Sequence, residues 1–511
     1  MAELEDRAQA AGAQAGGGIK IEMAGTDVIA EAERKGRPAS LFWPWFAANI
    51  SVFGISYGAW VLAFGISFAQ AALAGVVGIV FSFFLCGVVA LAGKRGGAPT
   101  MVLARAALGV IGNRLAAVLS WILTVGWETV LASLAVMATA TIMEKLGAGG
   151  GSGIKLLALA VVAVLIVGGG VIGFDLIMKM QTVITVVTGV LTIGYFALTF
   201  RSIDLGAVMA MPGGSAQAFV GALVFMMAGF GLGWVNMAAD YSRYLPRQTS
   251  SGGVIWWTTF GAAIAPLLLL GFGLLLAGSD QSLRDGISGD PIGALTAILP
   301  TWYLLPFGLV AILGLVGGAV LDIYSSGLAL ISAGIKIPRP VAAGIDGVIM
   351  ILGTIYIVFG GSAFFDIFQQ FLMTLGVPIA AWAGIMLADV LLRKRAYAEA
   401  DLFDRRGRYG AVPPGPMAIM VVGTAVGWGF IINQLPAAGF LDWLGYLMGL
   451  VGGKDGAWAY ANLGVMFALA IGFGGTMLLG RGRVRAQEAL DAPPAPAAQP
   501  PEVPEPPEAA A

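Results

Sequence analysis

The amino-acid sequence reads as an all-α integral membrane protein with twelve transmembrane helices, and three features lead there. Only 11% of its 511 residues are charged and 58% are hydrophobic. A soluble domain carries about 25% charged residues, so the polar side chains here are too few to cover a water-soluble body of this size. Twelve apolar stretches each reach the ~20 residues that a helix needs to cross the hydrocarbon core. Finally, the basic residues segregate between alternate loops, as the positive-inside rule demands.

Taken in order, the stretches run over 41–66, 68–92, 115–143, 154–174, 178–200, 216–240, 254–278, 302–333, 341–360, 363–392, 417–436 and 459–480. Several are longer than a span needs, which predicts tilt or interfacial turns. The first begins behind a polar segment, so it is not a cleavable signal peptide. With the N-terminus placed in the cytoplasm, only Lys145, Lys155, Arg201, Arg284 and Lys454 fall on the outer side, and the other 23 of the 28 Lys and Arg fall inside. That asymmetry predicts a multi-pass protein of the plasma membrane with both termini cytoplasmic. Residues 1–37 are rich in Ala, Gly and Glu, and 486–511 in Pro, Ala and Glu; neither can bury a core, and both read as disordered cytoplasmic tails.

The composition excludes several functions. There is no histidine, so no imidazole relay, no histidine metal site and no Ser-His-Asp triad. Cys86 is the only cysteine, which rules out an intrachain disulfide or a zinc cage. A net charge of −1 without a basic domain argues against nucleic-acid binding. No GxxxxGK[ST] loop supports ATP-driven pumping. The carboxylates form no recognisable constellation, so an embedded enzyme or a scaffold is the weaker alternative to a transporter. The partners expected are the lipid bilayer and a small substrate, with no cofactor or metal, and the chain is expected as a monomer, with an oligomer as the alternative.

Secondary transporters bind substrate where helices at corresponding positions of two repeats are interrupted. The first span holds Asn49, Ser51, Gly54, Ser56 and Gly58 within the membrane; the sixth holds Gly229, Gly231 and Gly233 before Trp234 and Asn236. These correspond if the repeat unit is five spans. Glycine lets the backbone unwind and expose its polar groups to a ligand. Small residues also let helices pack closely. Their pairing with midspan Asn and Ser favours interruption.

The sixth span ends in Ala238-Ala239-Asp240-Tyr241-Ser242-Arg243-Tyr244-Leu245-Pro246, which resembles the corresponding helix end in nucleobase:cation symporters (the NCS1 family), most of all the purine–cytosine permease branch. Trp45-Phe46-Ala47-Ala48-Asn49 resembles that branch's first helix. Gly97-Ala98-Pro99-Thr100-Met101, with Arg105, Gly109 and Gly112, resembles its second loop. Asp322-Ile323-Tyr324-Ser325 resembles an Asn-x-Tyr-Ser stretch of its eighth helix, and Asp389 with Arg393, Arg395 and Tyr397 resembles the end of its tenth. The resemblance implies a LeuT-like fold, with inverted five-helix repeats over 41–200 and 216–392 and two peripheral helices over 417–480. It also implies cation-driven uptake of a flat heterocyclic base: a cytosine or purine type, or alternatively a hydantoin, an allantoin or a thiamine-like vitamin.

Candidate roles follow. Trp127 matches the family tryptophan that stacks on the base, and a planar substrate gains from an offset aromatic face. Phe230 or Trp234, one helical turn apart, is expected to supply the opposite face; Gly231 stands where some relatives carry that ring. Asn49, Ser51, Ser56 and Asn236 are candidate hydrogen-bond partners for a base edge. Leu131 occupies the position where relatives often carry an amide, which makes Glu128 the substitute. Glu128 and Asp322 lie near midspan, where a carboxylate costs ~2.5–3.5 kcal/mol and so usually has a function. Burial favours the protonated form of a carboxyl, so either acid can bind an N–H edge or carry the coupling proton. Asp240 and Arg243 read as an inner-gate ion pair. Asp175, Asp366 and Asp389, near span ends, read as solvated. Sodium-coupled relatives use eighth-helix hydroxyls that Leu313–Gly318 lacks, so H+ is preferred over Na+ as coupling ion.

Overall fold

The computed structural model describes residues 25–172, 174–360, 364–435 and 438–490, with backbone alone over 174–180. The tails expected over 1–24 and 491–511 lie outside the described residues, as does the side chain of Asp175.

Helices fill the predicted order. The first span is the pair Phe42–Asn49 and Phe53–Leu62; then come Phe68–Gly96, Asn113–Lys145, Ser152–Ile172 and Phe174–Thr199. The sixth span runs from Ala216 to Ser242 in pieces, followed by Ser251–Ser279, Leu304–Ser332, Arg339–Phe359 and Phe364–Leu392. Pro414–Gly429 and Leu463–Leu479 complete the set. Among the described residues nine helices are long and apolar enough to cross a membrane alone, and two bent pairs bring the number to eleven. The twelfth is Pro414–Gly429, whose 16 residues reach about 24 Å. Two five-helix units, each opening on an interrupted helix, are thus followed by two further helices.

Local chemistry sets the ends. Ser67 and Gln70 form a capping box at the start of the second span. That span stops at Gly97, whose φ of 64° lies in the left-handed region that favours glycine. The eleventh span ends short of its predicted limit because the following loop folds back, with the Gly445 and Leu447 amides donating to the Trp428 and Gly429 carbonyls.

The eighth span lies along the third, the seventh against the second and first, and the tenth against the twelfth. The fourth and fifth spans leave Leu157, Val164, Val183, Val190 and Ile193 exposed, an apolar face for lipid. The tenth is the most enclosed, so its residues meet the interior.

Two expectations are corrected. The first span bends by 69° at residues 50–52, ahead of its glycines. Gly54 and Gly58 sit in regular helix and serve close packing: a Cβ on Gly58 would stand 2.2 Å from the Gly273 carbonyl carbon on the seventh span. Residues 25–37 do not form a solvated tail. They cross the Arg-rich end of the bundle, where Arg34 is buried and pairs with Glu31 and Glu399, both at 3.1 Å. Likewise 481–489 forms a helix whose Gln487 accepts a hydrogen bond from Arg393. Composition could not see these contacts, which satisfy charges by pairing distant segments.

Candidate functional site

The interruption of the sixth span centres on Phe230, whose φ of −119° and ψ of −107° end one helix before the next turn begins at Gly231. The freed backbone groups are taken up at once. Tyr57 donates its hydroxyl to the Gly229 carbonyl at 3.3 Å, Ser82 Oγ accepts from the Gly231 N–H at 3.0 Å, and the Cys86 thiol donates to the Gly231 carbonyl at 2.9 Å. A Cβ on Gly231 would stand 2.1 Å from the Ser82 carbonyl carbon. This position therefore faces the second span and can hold no stacking ring.

The structure places Trp127 against this break, with its indole nitrogen 3.1 Å from where a Gly233 Cβ would be. The indole N–H has no hydrogen-bond partner. Its ring neighbours are Phe368 at 5.4 Å and Phe371 at 6.2 Å, both edge-on. Neither expected sandwich partner meets it: Phe230 lies 4.5 Å from Tyr57, and Trp234 meets Trp45 edge-on at 6.0 Å. The sequence does not single out Phe368, because a phenylalanine in an apolar span reads the same whether it faces lipid or a site. It also touches Phe53, Tyr57 and Trp60. Trp60, Phe365, Gln369, Gln434 and Tyr460 line a cavity of about 420 Å³ at the end away from the Arg-rich loops. A layer of rings thus separates this vestibule from Trp127.

Next to Trp127, Glu128 is completely buried and neither of its carboxyl oxygens has a hydrogen-bond partner. Asp322 is 2% exposed, and its Oδ2 is also unpartnered. The two acids are electrostatic neighbours, so the fold brings this predicted pair together. It adds a third, Asp346 on the ninth span, which accepts from Trp121 Nε1 at 2.6 Å and Ser326 Oγ at 2.7 Å. The depth rule that singled out Asp322 applies equally to Asp346.

Other candidates are used structurally. Asn49 donates to the Trp45 carbonyl of its own helix at 2.9 Å, and Ser56 donates to the Pro291 carbonyl at 2.7 Å. Asn236 donates to Ser120 at 2.7 Å, which leaves its own oxygen free for a ligand. Ser51 packs against Gly314 of the eighth span.

At the Arg-rich end the expected ion pair between Asp240 and Arg243 does not form. Asp240 Oδ1 accepts from the Thr100 amide and hydroxyl at 2.8 and 2.7 Å, and Oδ2 accepts from Ser325 at 3.2 Å. Arg243 instead donates to the Gly25 carbonyl and to the Tyr244 and Tyr324 hydroxyls. The carboxylate is held by donors that reach it directly, so the guanidinium turns elsewhere. Asp389 is not solvated either; it is 2% exposed and pairs with Arg393 at 2.8 Å. In the second loop, burial and then the neighbouring Arg114 pull the Arg105 guanidinium down to about 10, still charged at neutral pH.

A bundle of twelve spans, interrupted in two helices around a flat ring and bare carboxyls, defines a multi-pass membrane transporter. The chain belongs to the family of permeases for cytosine/purines, uracil, thiamine and allantoin, whose sequence model matches residues 28–452. It falls in the purine–cytosine permease branch of the NCS1 family. The putative purine-cytosine permease YxlA of Bacillus subtilis is 24% identical over 446 residues, 86% of this chain and 93% of that one. Purine-cytosine permease FCY2 of Saccharomyces cerevisiae is 24% identical over 382 residues, covering 70% and 69%. The fold matches Mhp1, a nucleobase-cation-symport-1 family transporter solved in a closed conformation with bromovinylhydantoin bound, with a TM-score of 0.67 and 19% identity over 91% of this chain and 95% of that one. These relatives are permeases, so the reading as transporter rather than enzyme stands.

Proposed function

We propose that the chain imports a nucleobase of the cytosine or purine type across the plasma membrane by proton symport, through alternating access, with both termini cytoplasmic. One observation carries this reading: a buried indole face at Trp127 adjoins a buried carboxyl at Glu128 that has no partner of its own. A flat base offers a π face to the first and N–H donors to the second. Phe230 or Trp234 moves into place on the opposite face when the ring layer rearranges, and Asn236 supplies its free oxygen.

Glu128 and Asp322 carry the coupling proton. Few other groups at that depth can, since the chain has no histidine. The place where sodium-coupled relatives hold their ion offers little here. Gly314 has no hydroxyl, and the Gly317 carbonyl already accepts from Gln181 Nε2 at 2.6 Å. A hard cation needs several free oxygens. Leu131 favours a second reading, a substrate such as hydantoin, allantoin or a thiamine-like vitamin, because an apolar side chain stands where an amide would read a base.

The test is uptake of labelled cytosine in cells lacking their own permeases, competed by a panel of bases and vitamins. Uptake competed by purines and abolished by a proton uncoupler is expected. Absence of cytosine uptake, or uptake competed by vitamins and by no base, would remove the base assignment. Uptake that required Na+ at constant pH and ignored the uncoupler would remove proton coupling.

A further inference from the structure

Asp346 has no task in the mechanism above, yet its surroundings are built. It is fully buried on the ninth span. Trp121 Nε1 donates to one oxygen at 2.6 Å, and Ser326 Oγ donates to the other at 2.7 Å. The third span faces it with Glu128, whose two bare oxygens have Asp346, Ser326 and Asp322 as electrostatic neighbours. The eighth span adds Asp322 and Ser326. Over 156–172 the fourth span carries no titratable residue. On its own helix, Arg339 is engaged by the Gly170 and Val171 carbonyls at 2.8 and 3.0 Å. Burial works against charge on two neighbouring carboxyls at once, which favours one proton between them.

We propose that Glu128, Ser326 and Asp346 form one proton-sharing set, in which the Ser326 hydroxyl passes a proton between the two carboxyls and Asp346 is the station nearer the Arg-rich end. The inference rests on the proton-coupled reading and extends it by two residues, Ser326 and Asp346. Helix rise sets the order. Trp121, which donates to Asp346, lies about 10 Å nearer the start of the third span than Glu128, and that start lies on the Arg-rich side. In one pass the Glu128 O–H bond breaks as its proton joins the Ser326 oxygen, while the Ser326 O–H bond breaks and its proton joins the Asp346 carboxylate. The serine ends as it began, and the negative charge has moved from Asp346 to Glu128. The Trp121 N–H holds Asp346 in position for this exchange. No hydrogen bond closes between Ser326 and Glu128 in the present conformation, so the rearrangement that admits substrate also completes the relay.

The experiment uses the purified full chain in two arms. In proteoliposomes, labelled cytosine is followed both as accumulation under an imposed inward proton gradient and as equilibrium exchange without one. The ratio of accumulation to exchange should fall about tenfold or more in Asp346→Asn and in Ser326→Ala, and should recover in Ser326→Thr, which keeps the hydroxyl. In detergent, the infrared C=O band of protonated carboxyls is titrated against pH. Asp346→Asn should move the Glu128 band, assigned by its loss in Glu128→Gln, by about tenfold in proton affinity. A wild-type ratio in Asp346→Asn alongside a collapsed ratio in Glu128→Gln would overturn the relay and leave proton coupling standing. If the wild type fails to accumulate cytosine, the underlying reading fails, and the infrared arm decides alone: an unmoved Glu128 band overturns the shared set.

Discussion

Trp127 and Glu128 are adjacent in the chain but do different work, and separate substitutions tell them apart. Trp127→Ala removes the stacking face, and labelled cytosine uptake should be abolished while expression and membrane insertion persist. Normal uptake by that variant contradicts stacking. Glu128→Gln keeps the shape but cannot release a proton, and Asp322→Asn does the same at the neighbouring site. At least one should lose proton-driven accumulation, and if both accumulate normally neither is the coupling group. Asp240 tests a different kind of burial. Its Oδ1 receives two donors from Thr100, so Asp240→Asn weakens a charged acceptor and should destabilise the protein by about 1–3 kcal/mol, seen as a lower Tm in detergent. An unchanged Tm would mean those bonds add nothing. The carboxylates at the centre were legible because a charge deep in a membrane is expensive and rarely idle. Phe368 was not, since an aromatic side chain in lipid and one in a site carry the same sequence signal. The partner of Asp240 was misread for a related reason: sequence spacing offered Arg243, while Thr100 comes from a loop 140 residues away.

At the level of elements, the two interrupted helices were foreseen from glycines, but the glycines act in two ways. In the sixth span Gly229 and Gly231 flank the break and admit Tyr57 and Ser82 to the freed backbone. In the first span the break falls at residues 50–52, where the Asn49 side chain competes for its own helix's carbonyls. There Gly58 and Gly273 bring two helices into backbone contact instead. Gly58→Ala should therefore cost about 1–3 kcal/mol or more by overpacking, whereas Gly271→Ala, with nothing within 4 Å of its Cβ, should be close to neutral. Thermal unfolding of both purified variants checks this, and equal Tm values would refute the contact. The span limits were legible because apolar length is written locally. The early end of the eleventh span was not, because a later loop decides it.

For the whole molecule, sidedness follows from charge and can be measured. Cys86 is the lone cysteine and is buried, so a Cys86→Ala background permits single reporters. Arg405→Cys should react with an impermeant maleimide only from the cytoplasmic face, and Gly449→Cys only from outside; the reverse pattern overturns the orientation. The Arg-rich face is also where residues 25–37 and 481–489 fold onto the bundle, with Arg247 bridging Glu31 and Glu399. Of these, 25–37 and 486–489 read as parts of tails because composition reports only what a stretch can bury by itself. By itself, the sequence determined the membrane class, the twelve spans, the family and two of the three acids grouped beside Trp127, since hydropathy, charge asymmetry and the cost of a buried charge are properties of single segments. Tertiary structure alone decided where the first helix breaks, which rings meet Trp127, what Asp240 binds and that Asp346 joins Glu128. Each of those depends on contacts between residues far apart in the chain, and no local pattern encodes which distant surface will arrive.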